Sequence, residues 1–134
     1  MDAPDDVALS VRDLSLDFHL RTHILHAVRN VGFDLRRGRT LCLVGESGSG
    51  KSVTARALLR IVDKAGRITG GRILLRAEGR EIDVAALDPR GRDIRAIRGR
   101  RIGLIFQEPM SSLSPVHSIG SQIAEAICLH TSLD

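Results

Sequence analysis

Residues 45–52 read GESGSGKS, and the rest of the chain is best read outward from this octet. It meets the pattern G-x-x-x-x-G-K-[ST] at every fixed position. Gly45, Gly48 and Gly50 are expected to take backbone angles that a side chain forbids. The loop amides of Gly45, Glu46, Ser47, Gly48, Ser49 and Gly50 can then converge on phosphate oxygens, aided by the positive end of the helix that follows. Lys51, expected to face solvent, brings a point charge to the β- and γ-phosphates, and the Ser52 hydroxyl offers a ligand to Mg²⁺. The competing reading is a glycine-rich turn that holds nothing. The pattern alone does not choose among ATPases, GTPases and kinases.

The flanks suit a strand–loop–helix unit. Thr40-Leu41-Cys42-Leu43-Val44 is nearly continuous and apolar, as expected of a strand buried on both faces of a parallel sheet. After the loop, Val53, Ala57, Leu58, Ile61 and Val62 form the apolar stripe of a helix expected to end near Gly66. Upstream lie about forty residues of a different kind. Val7, Leu9 and Val11 alternate with polar neighbours, and Leu14, Leu16 and Phe18 alternate again, shifted by one position. A bulge near Arg12-Asp13 absorbs that shift. Val31, Phe33 and Leu35 give another alternating strand, closed by a turn at Arg36-Arg37-Gly38-Arg39. These strands imply an antiparallel β layer attached to the nucleotide core.

Downstream, Ile73-Leu74-Leu75 reads as a strand entered through Gly70-Gly71, and a short helix is expected around Arg92–Arg98. Ile102–Phe106 reads as a second buried strand. Pro109 and Pro115 bracket a serine-rich loop, and Ile119, Ile123 and Ile127 fall four apart. That spacing predicts an amphipathic helix over 118–130 with Ser118 as its cap.

Composition sets outer limits. The chain has 134 residues, 43% of them hydrophobic, which suits one domain with a real core and argues against disorder. Cys42 and Cys128 sit far apart in apolar contexts, so buried thiols in a reducing compartment are expected. No apolar run approaches the length that spans a bilayer, and the acidic start Met1–Asp6 lacks the apolar core of a secretory signal. The formal charge is +4, and six arginines crowd between Arg90 and Arg101. That cluster has no aromatic stacking residues and is interrupted by Asp93, so it reads as a solvated face and not as a nucleic-acid surface. His19 and His23 have helical ligand spacing but fall in a strand–loop region, which argues against a metal site. The serines at 111, 112 and 114 have no acid or base arranged around them.

Taken together, AVRNVGFDLRRGRTLCLVGESGSGKS and RRIGLIFQEPMSSLSP resemble ABC transporter ATPases, and within them the oligopeptide/dipeptide import ATP-binding subunits. The resemblance runs from about Val7 to the end, and the pairing of the loop with IFQEPMSSLSP is its specific part. Family members usually carry asparagine where Ser114 stands. The resemblance implies an α/β fold: a P-loop core, with an incomplete parallel sheet and helices, plus an antiparallel β subdomain. It implies ATP and Mg²⁺ as cofactors and makes Gly45–Ser52 the Walker A motif. Gln107 becomes the Q-loop glutamine, completing the Mg²⁺ shell or positioning the attacking water. Without the family, Gln107 is a strand-end polar residue. The family stacks adenine on an aromatic side chain of the first β layer, and Phe18 is the candidate here, with a plain core role as the alternative.

By the same resemblance, the partners are transmembrane permease subunits, met by the loop after Gln107 around Ser111 and Ser112, and a second ATP-binding subunit. The location is peripheral, at the cytoplasmic side of the inner membrane. The chain contains no LSGGQ-like signature, no Walker B and no switch histidine. Residues 1–134 therefore read as the N-terminal part of a nucleotide-binding domain, from Walker A to Q-loop, expected to be inactive in hydrolysis alone. A different P-loop NTPase or kinase, or a non-catalytic nucleotide-binding remnant, stays open as an alternative.

Overall fold

A computed structural model of the chain describes residues 6–108 and 113–131. These form two units, one ending at Ile94 and one beginning at Arg95.

The first unit is built on a four-stranded antiparallel sheet. Its strands are β1 (Val7–His19), β2 (Ile24–Arg36), β3 (Gly66–Ala77) and β4 (Arg80–Asp83), in spatial order β2-β1-β3-β4. The parity switch expected in β1 is real. Leu9 and Val11 are buried, and so are Leu14 and Leu16, on the opposite count. The register slips against both neighbours between Val11 and Ser15, because Asp13 takes a left-handed φ of 49°. Ser15 stitches this bulge: its Oγ accepts from the Asn30 amide at 3.1 Å and donates to Asn30 Oδ1 at 3.2 Å. Asn30 is itself left-handed, φ 47°. Opposite, a side chain at Gly71 would collide with the Asp13 carbonyl, and Gly71 has φ 87°. Only glycine meets both demands.

One face of the sheet carries the core. Val11, Leu14, Leu16 and Ile73 are fully buried, joined by Val28, Leu75 and Val84. Asp83 caps the single 3₁₀ turn Val84–Ala86, its Oδ1 accepting from the Ala85 amide at 3.1 Å. Helix α1 (Lys51–Leu58) packs against β2 and this turn and buries Thr54 and Ala57. It is shorter than the apolar stripe suggests. Leu59 and Arg60 close it with bonds back to Arg56 and Ala57, and Arg60 has φ 55°. A left-handed residue ends a helix, so Ile61 and Val62 leave it, and Gly66 opens β3 instead. The hairpin of β3 with β4 and the 3₁₀ turn were not foreseen in the sequence.

Two expected strands are absent among the described residues. Residues 40–44 and 102–106 form no ladder, and Val44 and Ile105 are 93% and 91% exposed. A parallel strand exists only through hydrogen bonds to neighbours on both sides, and neither run has them. The α/β class stands, with the antiparallel layer as its formed sheet. Cys42 and Cys128, expected to be buried, are exposed for the same reason: the apolar segments that hold them are uncovered.

The second unit holds the rest of α2 (Arg92–Ile97), a loop, and α3 (Ile119–His130). Gly99, φ 78°, lies under the His130 ring and leaves no room for a side chain. Ser118 caps α3 as expected, accepting from the Ser121 amide at 3.2 Å. Gln122 pins the preceding turn. Its Oε1 accepts from the Ser114 amide at 2.8 Å, and its Nε2 donates to the carbonyls of Ser114 and His117, each at 3.1 Å. Ile119, Ile123 and Ile127 do line up on α3, but all are exposed. No helix among the described residues is long and apolar enough to cross a membrane.

Candidate functional site

The octet at 45–52 forms a compact loop, and its glycines do different jobs. Gly48 has φ 80° with open space where a side chain would go, so its requirement is purely conformational. Gly50 has φ 90° and caps α1, and a Cβ there would lie 2.6 Å from the Ala27 carbonyl oxygen. It needs both the angle and the space, because β2 passes directly against the loop. Gly45 departs from the expectation. Its backbone is not left-handed, but a Cβ would sit 2.6 Å from Ser49 Oγ. There glycine is required by crowding and not by its angles.

Lys51 also differs from the solvent-facing side chain expected. It is half-buried, and its Nζ donates to the carbonyls of Gly45 and Glu46 at 2.7 and 2.6 Å and to Ser49 Oγ at 3.2 Å. The ammonium thus lies over the loop it belongs to, where a phosphate group would be cradled. Thr54 secures the helix start, its amide and Oγ1 both donating to the Gly50 carbonyl at 2.8 and 2.9 Å. The remaining first-turn amides of α1 have no intrahelical acceptor by geometry. Ser52 is exposed in that first turn, and Glu46 and Ser47 are exposed in the loop.

A cleft of about 270 Å³ adjoins the loop. It is lined by Gly48–Val53 on one side and by Phe18, Leu25, His26 and Ala27 on the other. Phe18, the aromatic residue singled out in the first strand, is half-buried there, its ring edge near Gly66. His26 and Ala27 were not anticipated as lining residues. Their place follows from the run of β2 against the loop at 45–52, which no local pattern discloses. A phosphate chain suits the loop and a flat apolar ring suits the Phe18 end. The loop amides and the Lys51 ammonium are the donors that a nucleoside triphosphate takes, and the exposed Ser52 hydroxyl is open to a cation.

Gln107 lies in the second unit, exposed, in a bend and not at the end of a formed strand. Pro109 and the two serines at 111 and 112 fall outside the described residues. His19 ends β1, and His23 sits in the following turn with its Nδ1 3.0 Å from Thr22 Oγ1. No cluster of three or more potential metal-ligating side chains occurs among the described residues.

Comparison with known proteins gives this geometry a family. The glutathione import ATP-binding protein GsiA of Salmonella paratyphi A is 48% identical over 123 residues, 91% of this chain and 20% of its own length. GsiA of Escherichia coli O1:K1 is 46% identical over 131 residues, 97% of this chain and again 20% of that protein. The chain therefore spans about a fifth of the length of these curated relatives. Among solved structures, the dimeric ATP-binding cassette MJ0796 in a post-hydrolysis state bound to ADP and Pi superposes with a TM-score of 0.75. A second dimeric structure of MJ0796, a bacterial ABC transporter cassette, gives 0.76. Both cover 94% of this chain and 49% of theirs at 20% identity, a likeness of fold. The ABC transporter family model matches residues 28–131, which take in the whole loop, α1 and the segment through Gln107 to α3, and on that match the chain belongs to the ABC transporter family.

Proposed function

We propose that this chain is the ATP-binding, energy-coupling part of an ABC importer for oligopeptides, dipeptides or related solutes. The observation that carries the reading is the phosphate loop with Lys51 folded over it, facing a cleft whose far wall is Phe18. The relatives' names point to import of glutathione, a peptide, which supports the solute class.

In this reading residues 1–134 are the N-terminal part of a nucleotide-binding domain. The amides of Gly45–Gly50 and the Lys51 ammonium would hold the phosphates, the Ser52 hydroxyl would ligate Mg²⁺, Gln107 would complete the Mg²⁺ shell or position the attacking water, and Phe18 would stack the base. Bound Mg²⁺ supplies neutralisation of charge on the phosphate oxygens. The chain's own part is to orient the phosphates through fixed backbone donors, which need no reorganisation during reaction. Permease subunits and a second ATP-binding subunit are its partners, at the cytoplasmic face of the membrane.

Titration of fluorescent ATP into the protein and into Lys51→Ala tests the reading. A charge-assisted contact contributes about 1.5–3 kcal/mol, so affinity falls about tenfold to hundredfold. Equal affinity in the two proteins refutes phosphate binding by this loop.

A further inference from the structure

Phe18 sits between two unlike neighbours. On the β2 side it is paired with Leu25, and on the β3 side with Gly66. Gly66 brings no side chain to its pair, and the phenyl ring takes the room. A Cβ built on Gly66 would lie 3.0 Å from Phe18 Cε1, 3.2 Å from Val62 Cγ1 and 3.3 Å from the Asp63 carbonyl oxygen. The ring edge therefore rests on the Gly66 backbone, and a Val62 methyl closes on the same spot.

Backbone hydrogen bonds fix this seat. The Gly66 amide donates to the Asp63 carbonyl at 2.8 Å and closes the turn before β3. The His19 amide donates to the Ala65 carbonyl at 2.9 Å and ties that turn to the end of β1. Gly66 is not left-handed, so its backbone angles accept any residue. What crowds a side chain there is the ring, Val62 and the Asp63 carbonyl. Phe18 also lines the cleft beside the phosphate loop. Aromatic groups prefer offset-stacked or edge-to-face contact, so a base in this cleft depends on the tilt of the phenyl ring. That tilt is a soft torsion, and contact with Gly66 and Val62 restrains it.

We infer that Gly66 and Val62 are positioning residues for Phe18, holding its ring at the tilt in which the base of the bound nucleotide stacks on it. The inference rests on the nucleotide reading above, with Phe18 as its stacking residue. It gives Gly66, the first residue of β3, a part in binding that its distance from the phosphate loop conceals.

Calorimetric titration with ATP and with inorganic tripolyphosphate, which has the phosphates but neither base nor sugar, tests this. Phe18→Leu and Gly66→Ala each weaken ATP roughly three- to tenfold and leave tripolyphosphate unchanged. Val62→Ala opens the seat without adding a group and weakens ATP selectively, but less. Gly66→Ala combined with Val62→Ala recovers ATP affinity, because the new methyl then has room without moving the ring. In the Phe18→Leu background, Gly66→Ala adds nothing. A merely structural fault at the start of β3 would weaken both ligands together and would persist without Phe18. Either of those results, or unchanged ATP affinity in both Gly66→Ala and Val62→Ala, refutes the seat and leaves the nucleotide reading intact. Unchanged ATP affinity in Phe18→Leu refutes base stacking by Phe18 and this inference with it, while the phosphate loop stands. No binding of either ligand by the unaltered protein refutes the nucleotide reading itself.

Discussion

Replacing Gly50 by alanine separates two roles that glycine plays in the loop, and Gly48→Ala is the internal control. Both positions are left-handed, φ 80° at Gly48 and 90° at Gly50. Forcing an L-residue into that region costs about 1–2 kcal/mol. At Gly48 this is the whole effect, since nothing lies within 4 Å of the added methyl. At Gly50 the methyl meets the Ala27 carbonyl oxygen at 2.6 Å, well inside ordinary contact distance. The backbone fixes the position of a Cβ and the carbonyl oxygen is itself backbone, so no side-chain rotation relieves the overlap. Either α1 or β2 must move by several tenths of an ångström, an overpacking effect of about 1–3 kcal/mol. Gly50→Ala is thus destabilised by about 2–5 kcal/mol in all and Gly48→Ala by about 1–2 kcal/mol. Because Gly50 is the residue before Lys51 and caps α1, the displacement carries Lys51 and Ser52 with it, and nucleotide affinity falls further than in Gly48→Ala. Urea unfolding monitored by circular dichroism, paired with fluorescent-ATP titration, measures both quantities. If the two variants have the same unfolding free energy, β2 does not abut the loop as described, and the argument for glycine at 50 fails.

Other perturbations report on the scaffold. Leu16→Ala empties a fully buried position in β1 and is expected to lower stability by about 2–5 kcal/mol, read from the urea midpoint. Ser118→Ala removes the α3 cap seen at 3.2 Å and should cost that helix about 1 kcal/mol, visible as faster amide exchange in its first turn. Asp34 titrates below the ordinary carboxylate value. Ser10 across the strand pair favours the ionised form, partial burial opposes it, and the Arg12 guanidinium, 2.9 Å away, adds to the effect of Ser10. A lowered folded-state pKa stabilises the fold above the unfolded value, near 3.9, and that contribution disappears as pH falls through the folded value. Asp34→Asn should therefore lower stability at neutral pH and flatten its decline below about pH 4; an unchanged acid profile counts against the pairing.

Much of this molecule can be read locally. The octet at 45–52 matches the phosphate-loop pattern because Gly50, Lys51 and Ser52 answer short-range demands for angle, charge and hydroxyl. The bulge at Asp13 is visible as a parity switch between Leu9–Val11 and Leu14–Leu16, since strand side chains alternate strictly. The Ser118 cap follows from its place before the isoleucine stripe of α3. These features are set by neighbours a few residues apart, and composition and spacing suffice for them.

Tertiary structure decided what depends on partners distant along the chain. The apolar runs at 40–44 and 102–106 carry strand composition, yet a strand is a relation between segments, and neither finds its ladder. The stripe through Ile61 and Val62 continues on paper, but a left-handed Arg60 stops α1 at Leu58. Gly50 is required by a carbonyl from β2, a contact that no pattern of glycines encodes. His26 and Ala27 line the cleft only because β2 runs against the loop at 45–52. Local sequence determines which conformations a segment can adopt. Pairing and crowding between remote segments determine which one it adopts, and so which side chains meet at the site.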